Sequence, residues 1–256
     1  MDKRIGAQLY TLRDFCKTEE DLDTSFKKLK EIGYKIIQVS GVGPIPAKNI
    51  KAIADSYSLE TVCTHRPFNE FQDNLDFIID YHHTLGCSLA GLGSMPQEAR
   101  VDADAFKQFV KQSNEIAKEL KKNGLDFGYH NHSFEFAKKD GKYLYEYLVE
   151  NTDPDCYNFI CDTYWYAFAG QNPDEWITKL GSRAMAIHFK DLAIDPKENK
   201  IYMAEVMEGN LKWDEIIDAC EKAGSKWALV EQDICPGDPF QSMKISYDNL
   251  VTKGFC

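Results

Sequence analysis

The chain has 256 residues, of which 43% are hydrophobic and 28% charged, a balance typical of one globular unit with a continuous core. The same composition excludes intrinsic disorder, collagen and coiled coil. The 41 acidic and 30 basic side chains give a formal net charge of −11. Because a surface of that sign repels a phosphate backbone, we expect no binding to nucleic acid.

No membrane or export signal stands out in the sequence. No window approaches the roughly 18 consecutive apolar residues of a membrane span, and the opening MDKRIGAQLY lacks the apolar core of a signal peptide. We therefore expect no membrane association and a cytoplasmic location. The eight cysteines show no CxxC spacing and most lie in apolar runs, which predicts buried, reduced thiols.

Short apolar runs alternate with longer amphipathic stretches from end to end. The runs predict eight strands at about residues 4–9, 34–39, 59–64, 87–92, 125–131, 157–161, 184–189 and 227–231. Helical patterns lie between them at about 19–33, 46–57, 69–85, 101–123, 140–150, 172–181 and 212–223. Gly86, Gly124 and Gly224 each follow a helical pattern and precede a strand, the usual place for a glycine that ends a helix.

This β-then-α rhythm over about 250 residues predicts a single (β/α)8 TIM barrel spanning residues 1–256, with a doubly wound open sheet as the alternative. In the run AMAIHF at 184–189, bulky apolar residues alternate with alanine and histidine. Bulky residues facing the helices and small or polar ones facing inward are typical of a closed barrel. The alternation therefore places Met185 outside and His188 inside.

Polar side chains stand at the ends of the predicted strands, where barrel enzymes have their active sites. Asp162, His188 and Glu231 share the inward parity and point at one volume. Because facing buried carboxylates need a counter-charge, the pattern predicts a cation among them. Carboxylate and imidazole ligands without a thiolate favour Mn²⁺, Mg²⁺ or Co²⁺ and also suit Zn²⁺. Lys190, of the same parity as His188, is the alternative source of positive charge.

The segment YHNHSFEF, residues 129–136, is the most informative local feature. His130 and His132 share parity, as in HxH metal sites, and Glu135 is within reach of the same volume once the strand ends. The alternative is a pair of histidines that bond to backbone carbonyls around a helix end. Together with the acidic and histidine residues of the later strands, the segment favours a functional site.

Other candidates carry weaker signals. Trp165 belongs to an aromatic cluster after the sixth predicted strand, and such rings either bind the apolar face of a sugar or pack in a core. Glu208 and Gly209 lie in the loop EVMEGNLKW, where the glycine would let the backbone approach a ligand or would simply form a turn. His82 and His83 fall inside a helical pattern and are expected to be packing or solvent-facing residues.

Several segments occur in a characteristic order along nearly the whole chain: QLYTLRD, YHNHSFEF, CDTYW, HFKD, EVMEGNLKW, and VEQD followed by DPFQSMKISYDNL. In this order they resemble the xylose-isomerase-like TIM-barrel family, which includes sugar and sugar-phosphate isomerases, epimerases and inosose dehydratases. Members typically hold one divalent metal ion with Glu, Asp, His and Glu from successive late strands. The resemblance therefore implies ligands at Glu135, Asp162, His188 and Glu231, with His130 or His132 as the alternative to Glu135.

The fifth strand departs from the family pattern. Many relatives carry a glutamate within this strand, whereas this chain reads FGYHNH there. Isomerases and epimerases of the family use two glutamates on opposite sides of the substrate for proton transfer. The histidine-rich strand is closer to the dehydratase or lyase branch.

The resemblance implies a divalent-metal-dependent isomerase or epimerase of a sugar or sugar derivative, acting through proton abstraction next to a carbonyl and an enediolate. A dehydratase or lyase that eliminates water or an aglycone from an inosose or keto-sugar is the alternative. A further alternative is a non-catalytic sugar-binding barrel, and the acidic charge argues against the apurinic-site endonucleases that share the barrel. The hypothesis assigns catalysis to His130, His132, Lys190 and Glu231, and substrate contacts to Tyr10, His65, Trp165 and Glu208. A small carbohydrate is the expected partner, and a homo-oligomer is compatible with the sequence.

Overall fold

The computed structural model describes residues 1–139 and 141–256. The strands of the barrel are β1 (Ile5–Gln8), β2 (Ile36–Val39), β3 (Glu60–Thr64), β4 (Leu89–Leu92), β5 (Asp126–His130), β8 (Tyr157–Asp162), β9 (Ala184–Phe189) and β12 (Trp227–Val230). Two hairpins are formed by β6 (Lys138–Lys139) with β7 (Lys142–Tyr143), and by β10 (Asp191–Asp195) with β11 (Lys200–Ala204). The helices are α1 (Glu19–Ile32), α2 (Ala47–Ser56), α3 (Phe68–Asp73), α4 (Leu75–Leu85), α5 (Ala103–Lys122), α6 (Leu144–Glu150), α7 (Thr163–Phe168), α8 (Pro173–Leu180), α9 (Trp213–Ala223) and α10 (Pro239–Val251).

Neighbouring barrel strands run parallel in the order β1, β12, β9, β8, β5, β4, β3 and β2, and β2 pairs back to β1. Because parallel neighbours need crossover connections, helices lie between successive strands and surround the barrel. The predicted (β/α)8 barrel is confirmed, and each predicted strand corresponds to a barrel strand. The carboxyl ends of all these strands therefore open at one end of the barrel.

Three elements differ from the sequence expectations. The helical pattern at 69–85 forms two helices, because Asn74 leaves the helical conformation (φ −141°, ψ 46°) between α3 and α4. The pattern at 140–150 forms α6 from Leu144 onward, and position 140 lies outside the described residues. The hairpins and the helices α7 and α10 are further elements that were not predicted from the sequence. Short antiparallel strands in a loop leave little periodicity to detect.

Two apolar layers hold the barrel together. The larger layer lies between the strands and the helices, and a smaller cluster fills the barrel interior with Ile36, Val62, Cys63, Leu89, Ile160, Met185, Ala186 and Leu229. Gly91 lines this interior, and a Cβ there would overlap the carbonyl oxygen of Thr64 and approach Ile160 Cδ1 to 2.8 Å. A glycine at that position therefore leaves room for the large interior side chains.

The predicted side-chain alternation of β9 holds from Ala186 onward but is wrong at Met185. Phe159 of β8 pairs with Ala184, whereas the next residue, Ile160, pairs with Ala186, so β9 carries a bulge at Met185. The extra residue reverses the alternation in the first part of β9. Met185 therefore belongs to the interior cluster and Ala184 to the outer layer. His188 keeps its inward position because it follows the bulge.

Local features agree with this packing. Helix α1 starts with a capping box, in which Thr18 Oγ1 accepts from the Asp21 N–H and the Asp21 carboxylate accepts from the Thr18 N–H. His82 is buried and bonds to Thr64 and Ile78, whereas His83 is exposed, as expected for packing and solvent-facing residues. In the described part of the chain no helix combines the length and apolarity needed to cross a bilayer.

The cysteines are unpaired within residues 1–139 and 141–256. Most are buried, as predicted, while Cys235 is half-buried and Cys256 is exposed. Burial raises the pKa of the Cys16 and Cys87 thiols to about 12, so these side chains act as small apolar groups rather than as thiolates.

Candidate active site

A cluster of acidic and imidazole side chains fills the carboxyl end of the barrel. It consists of His130 at the end of β5, Asp162 at the end of β8, His188 in β9 and Glu231 just after β12. One potential ligand atom from each of these residues lies within 4.8 Å of the others, and all of these side chains are buried. Strand alternation explains the convergence, because the residue two positions before Asp162, His188 and Glu231 is in each case an interior residue of the barrel.

The carboxylates of Asp162 and Glu231 face Lys190, whose side chain is 1% exposed. Lys190 Nζ lies 3.5 Å from Asp162 Oδ2, 3.3 Å from Glu231 Oε2 and 2.8 Å from Asp233 Oδ1. Burial alone would lower the pKa of the ammonium group, but these acids together raise it above its usual value. Burial likewise opposes ionisation of Asp162 and Glu231, yet the charge of Lys190 and their other partners lower both pKa values. The acids are therefore ionised and the lysine is protonated.

Two glutamine side chains orient the cluster. His188 Nε2 donates to Gln38 Oε1 over 2.7 Å, and Gln8 Nε2 donates to Glu231 Oε1 over 2.7 Å. The bond to Gln38 places the Nε2 proton on one side of the imidazole and turns Nδ1 toward the acids. Gln8 and Gln38 were not assigned a role from the sequence, although each is a polar residue at the end of a predicted strand, which is a readable signal.

His188 Nδ1 is a buried atom that faces two carboxylates. It lies 2.9 Å from Glu231 Oε2 and 3.7 Å from Asp162 Oδ2, close to both carboxylates. Burial lowers the pKa of this imidazole, but Glu231 and Asp162 outweigh it and raise the pKa to about 9. A proton on Nδ1 and a divalent cation beside it are alternative ways to neutralise the same acids. The donor set of carboxylates and imidazoles thus fits a divalent metal ion.

His130 joins the cluster in an orientation suited to ligation. Its Nδ1 lies 2.9 Å from the Gly93 carbonyl oxygen, which can only accept, so Nδ1 carries the proton. Nε2 then presents its lone pair 3.3 Å from Asp162 Oδ2. Backbone carbonyls commonly fix metal-binding histidines in this way. The lone pair of Nε2 is therefore available to a cation beside Asp162.

Glu135, expected from the resemblance to be the first metal ligand, does not reach the cluster. The short 3-10 turn Phe134–Phe136 carries its side chain to the outer face, where the carboxylate accepts from the Tyr129 hydroxyl (2.6 Å) and the His132 N–H (2.9 Å). Burial raises the pKa of this carboxyl to about 7 despite those bonds. The structure therefore brings His130, and not Glu135, together with Asp162.

A cavity of about 1090 Å³ opens above the cluster. The predicted site residues Tyr10, His65, His132, Trp165, Lys190 and Glu231 line it, as do Gln8 and Asp233. His65 Nε2, His132 Nδ1 and Trp165 Nε1 are buried without a hydrogen-bond partner in the described structure. Burial and neighbouring histidines lower the pKa of His132 to about 3 and that of His65 well below its usual value, so both rings are neutral.

Asp233 was not singled out from the sequence. It follows Glu231 by two residues in the VEQD segment, and that shared parity is the signal that could have identified it. Burial and the nearby Glu231 raise the pKa of this carboxyl, while Lys190 opposes the shift. The ion pair between Lys190 and Asp233 connects the buried cluster to the cavity.

Glu208, expected to contact a substrate, lies away from the cavity. Its side chain is exposed and accepts a hydrogen bond from Asn249 on α10 over 2.8 Å. Gly209 does allow a close backbone approach, but to Asp191 rather than to a ligand, because a Cβ there would overlap the Asp191 carboxylate. The whole EVMEGNLKW loop thus folds against Asp191 on the outer side of the barrel.

Comparison with known proteins agrees with this fold. The family model described as "Xylose isomerase-like TIM barrel" matches residues 26–239. No curated protein sequence matches the chain. Among solved structures, a sugar phosphate isomerase/epimerase from Parabacteroides distasonis is 24% identical with a TM-score of 0.80, over 97% of this chain and 93% of that one.

Two more distant structures share the same fold. The probable 3-DHS dehydratase AsbF from Bacillus anthracis is 12% identical with a TM-score of 0.75, covering 97% of this chain and 98% of that one. A xylose isomerase-like TIM barrel protein from Mycobacterium smegmatis, in complex with magnesium, is 13% identical with a TM-score of 0.74, covering 98% and 97%. At these identities the structures share a fold, whereas the family model spans most of the sequence. The chain therefore belongs to the xylose isomerase-like TIM-barrel family.

Proposed function

We propose that this protein is a divalent-metal-dependent enzyme that removes a proton next to the carbonyl group of a sugar or sugar derivative, and so isomerises or epimerises it. The observation that carries the proposal is the convergence of His130, Asp162, His188 and Glu231, whose potential ligand atoms lie within 4.8 Å of one another in a buried cluster. Two carboxylates beside two imidazoles form a donor set that favours a divalent cation.

His130, Asp162, His188 and Glu231 would hold the metal ion, with His130 in the place that the family resemblance first gave to Glu135. Mn²⁺, Mg²⁺ or Co²⁺ suits this donor set, and Zn²⁺ accepts it as well. When bound, the cation would supply positive charge beside the carbonyl oxygen on which negative charge develops. Gln38 and Gln8 would keep His188 and Glu231 in the orientation that ligation requires.

His132 is the proposed general base. It lines the cavity next to the cluster, with ring centroids 4.7 Å from His130 and 5.4 Å from Trp165, and its Nδ1 has no partner within the described chain. Lys190, held by Asp233 at the cavity wall, would stabilise the developing negative charge and act as the acid partner. The protonated His132 would then return the proton to the neighbouring carbon.

The remaining cavity residues would position the substrate. The Trp165 ring lies 5.2 Å from Lys190 Nζ and offers a face for the apolar side of a sugar ring. Tyr10, 39% exposed at the rim, and His65 would contact hydroxyl groups. Because His65 Nε2 is buried without a partner in the described structure, a substrate hydroxyl would satisfy it.

Elimination is the second candidate reaction. It shares the first step, proton removal next to a carbonyl, and then releases water or an aglycone instead of returning the proton. The specific observation in its favour is the Lys190–Asp233 pair at the edge of a cavity with space beyond the cluster, because a protonated lysine there could protonate a leaving group. The probable dehydratase that shares the fold makes this candidate worth a direct test.

The first experiment measures bound metal by elemental analysis and repeats activity assays after chelation. Retained Mn, Co, Mg or Zn, lost on Glu231→Gln substitution but not on Glu208→Gln substitution, would support the proposal. The exposed Glu208 is a matched control because it is a glutamate remote from the cavity. Absence of metal from the wild-type protein, with activity insensitive to chelator, would refute it.

The second experiment follows ketoses, inososes and 3-keto-glycosides by NMR in deuterated water. Deuterium incorporation with retention of the carbon skeleton and all substituents indicates isomerisation or epimerisation. Release of water or aglycone indicates elimination. A His132→Gln variant that still exchanges deuterium at the wild-type rate would remove His132 from the role of base.

A further inference from the structure

The cavity extends well beyond the buried cluster, along helices α3 and α5. Its far side, which we call the amide wall, is formed by Asn69, Gln72, Gln97, Gln108 and Gln112. At about 1090 Å³ the cavity exceeds the roughly 300–1000 Å³ that usually accommodates a drug-sized ligand. The volume leaves space for more than a single monosaccharide.

The composition of the amide wall is unusual for this chain. The sequence contains nine glutamines, and Gln72, Gln97, Gln108 and Gln112 all line this one surface. They come from α3, from the 3-10 turn Gln97–Arg100 and from α5, so their proximity is created by the fold. Gln72 Nε2 donates to Gln112 Oε1 over 3.3 Å across the two helices, which links both sides of the wall.

Side-chain amides recognise neutral polar groups. Each carries both donors and an acceptor without net charge, and this matches a hydroxyl group, which also donates and accepts. An array of amides therefore fits a group with several hydroxyls, such as a second sugar ring. An anionic group such as a phosphate would instead favour arginine or lysine side chains whose donors are available.

The arginines beside the amide wall use part of their donor capacity within the protein. Arg66 Nε donates to Glu70 over 2.7 Å in an ion pair, and its guanidinium lies 4.9 Å from the Tyr81 ring. Arg100 stacks on Phe134 at 3.6 Å and donates to the Met95 carbonyl and the Ser94 hydroxyl. The amides therefore outnumber the arginines on this surface, and the comparison with glucose 6-phosphate tests the choice between a neutral and an anionic group.

We propose that the amide wall binds a neutral, polyhydroxylated group joined to the carbohydrate unit at the cluster. The substrate is then a glycoside or disaccharide-sized molecule rather than a phosphorylated monosaccharide. This inference rests on the proposed function, since it needs the first unit to lie at the metal cluster. It also gives the leaving group of the elimination reaction a place to bind.

The test measures binding calorimetrically, using the Mn²⁺-loaded protein with glucose, glucose 6-phosphate, maltose, cellobiose and trehalose. At least one disaccharide is expected to bind about tenfold more tightly than glucose, the effect of one or two net hydrogen bonds. Glucose 6-phosphate is expected to gain nothing over glucose. If no disaccharide exceeds glucose, or the phosphate ester binds most tightly, the inference is overturned.

Substitutions distinguish a failure of the amide-wall inference from a failure of the proposed function. The Gln108→Ala/Gln112→Ala double variant should lose the disaccharide advantage and keep glucose affinity, while Gln241→Ala on α10, an exposed glutamine elsewhere, should change neither. Melting temperatures confirm that each variant is folded. Equal affinity of the double variant and wild type for the disaccharide contradicts the amide-wall inference. Glucose and Mn²⁺ binding unchanged in Glu231→Gln contradicts the proposed function instead.

Discussion

Two buried acidic regions meet at the adjacent residues Lys190 and Asp191, where β9 leads into β10, and their acids are stabilised in different ways. On the outer side, the Asp191 carboxylate accepts hydrogen bonds from the backbone N–H groups of residues 192, 207, 209 and 211 and from the Trp213 indole. On the inner side, Asp162 and Glu231 face Lys190 and His188. The Asp191 carboxylate is stabilised by neutral backbone and indole N–H groups. Asp162 and Glu231 are stabilised by charged side chains, whose role a bound cation can take over.

The difference separates a structural acid from a functional one. The donors around Asp191 come from the loop that connects β11 to α9, so its carboxylate fixes the path of that loop, including Met207 at the strained φ of 72°. Around Asp162 and Glu231, by contrast, the partners are the ionisable side chains of Lys190 and His188 instead of backbone N–H groups. Burial of an acid alone therefore does not identify a site, whereas burial beside ionisable side chains from several strands indicates one.

The largest effect on stability is expected for Asp191→Asn. The amide NH₂ would face backbone donors now bonded to a carboxylate oxygen, so the free energy of unfolding should fall by about 4 kcal/mol. Urea denaturation monitored by circular dichroism measures this change in the free energy of unfolding. Asp248→Asn, which affects only an exposed pair with Lys244, is the control and should change less than about 0.5 kcal/mol. A similar loss in both variants would show that Asp191 contributes no more to stability than an exposed aspartate.

Substitution of Glu231 tests the inner region. Mn²⁺ at 100 times its dissociation constant should stabilise the wild-type protein by about 2.7 kcal/mol, and Glu231→Gln should abolish this gain because an ionised ligand is lost. Thermal melts with Mn²⁺ and with chelator measure the difference. Asp191→Asn, although less stable, should retain the response to Mn²⁺. A full metal response in Glu231→Gln would show that the acid is not a ligand.

His82 provides a pH test away from both regions. Burial, opposed by its bond to Ile78, lowers the pKa of His82 from 6.5 to about 4, so the folded state resists protonation. Its contribution to stability is present above pH 6.5 and is lost as the pH falls toward 4. Between pH 7.5 and 5 this loss amounts to about 2 kcal/mol. Urea titrations of His82→Gln should show a correspondingly flatter pH dependence, and parallel curves would contradict the assignment.

The smallest effect is expected for Gln38→Ala. Loss of the bond to His188 Nε2 frees the imidazole to rotate and should weaken Mn²⁺ binding about tenfold. Calorimetric titration of Mn²⁺ measures the change. Gln38→Glu restores the acceptor and should recover most of the affinity. If both variants bind Mn²⁺ like the wild type, Gln38 does not position His188.

Side-chain alternation made much of the barrel predictable. The strands that end at Asp162, His188 and Glu231 were located from short apolar runs, and a period of two decides which residues face inward. The same rule failed at Met185, because a bulge adds one residue that no local pattern reveals. It also could not assign Glu135, whose direction depends on a turn after the strand has ended.

The sequence by itself determined the order of strands and helices, the inward parity of the acids and histidines, and the family, because each depends on local periodicity or on short segments in order. Only the tertiary structure decided that His130 rather than Glu135 lies beside Asp162, that Glu208 and Gly209 belong to the Asp191 loop, and that glutamines from α3 and α5 form one wall. These are contacts between residues far apart in the chain. Their geometry depends on how the loops pack over the end of the barrel, which no spacing along the sequence encodes.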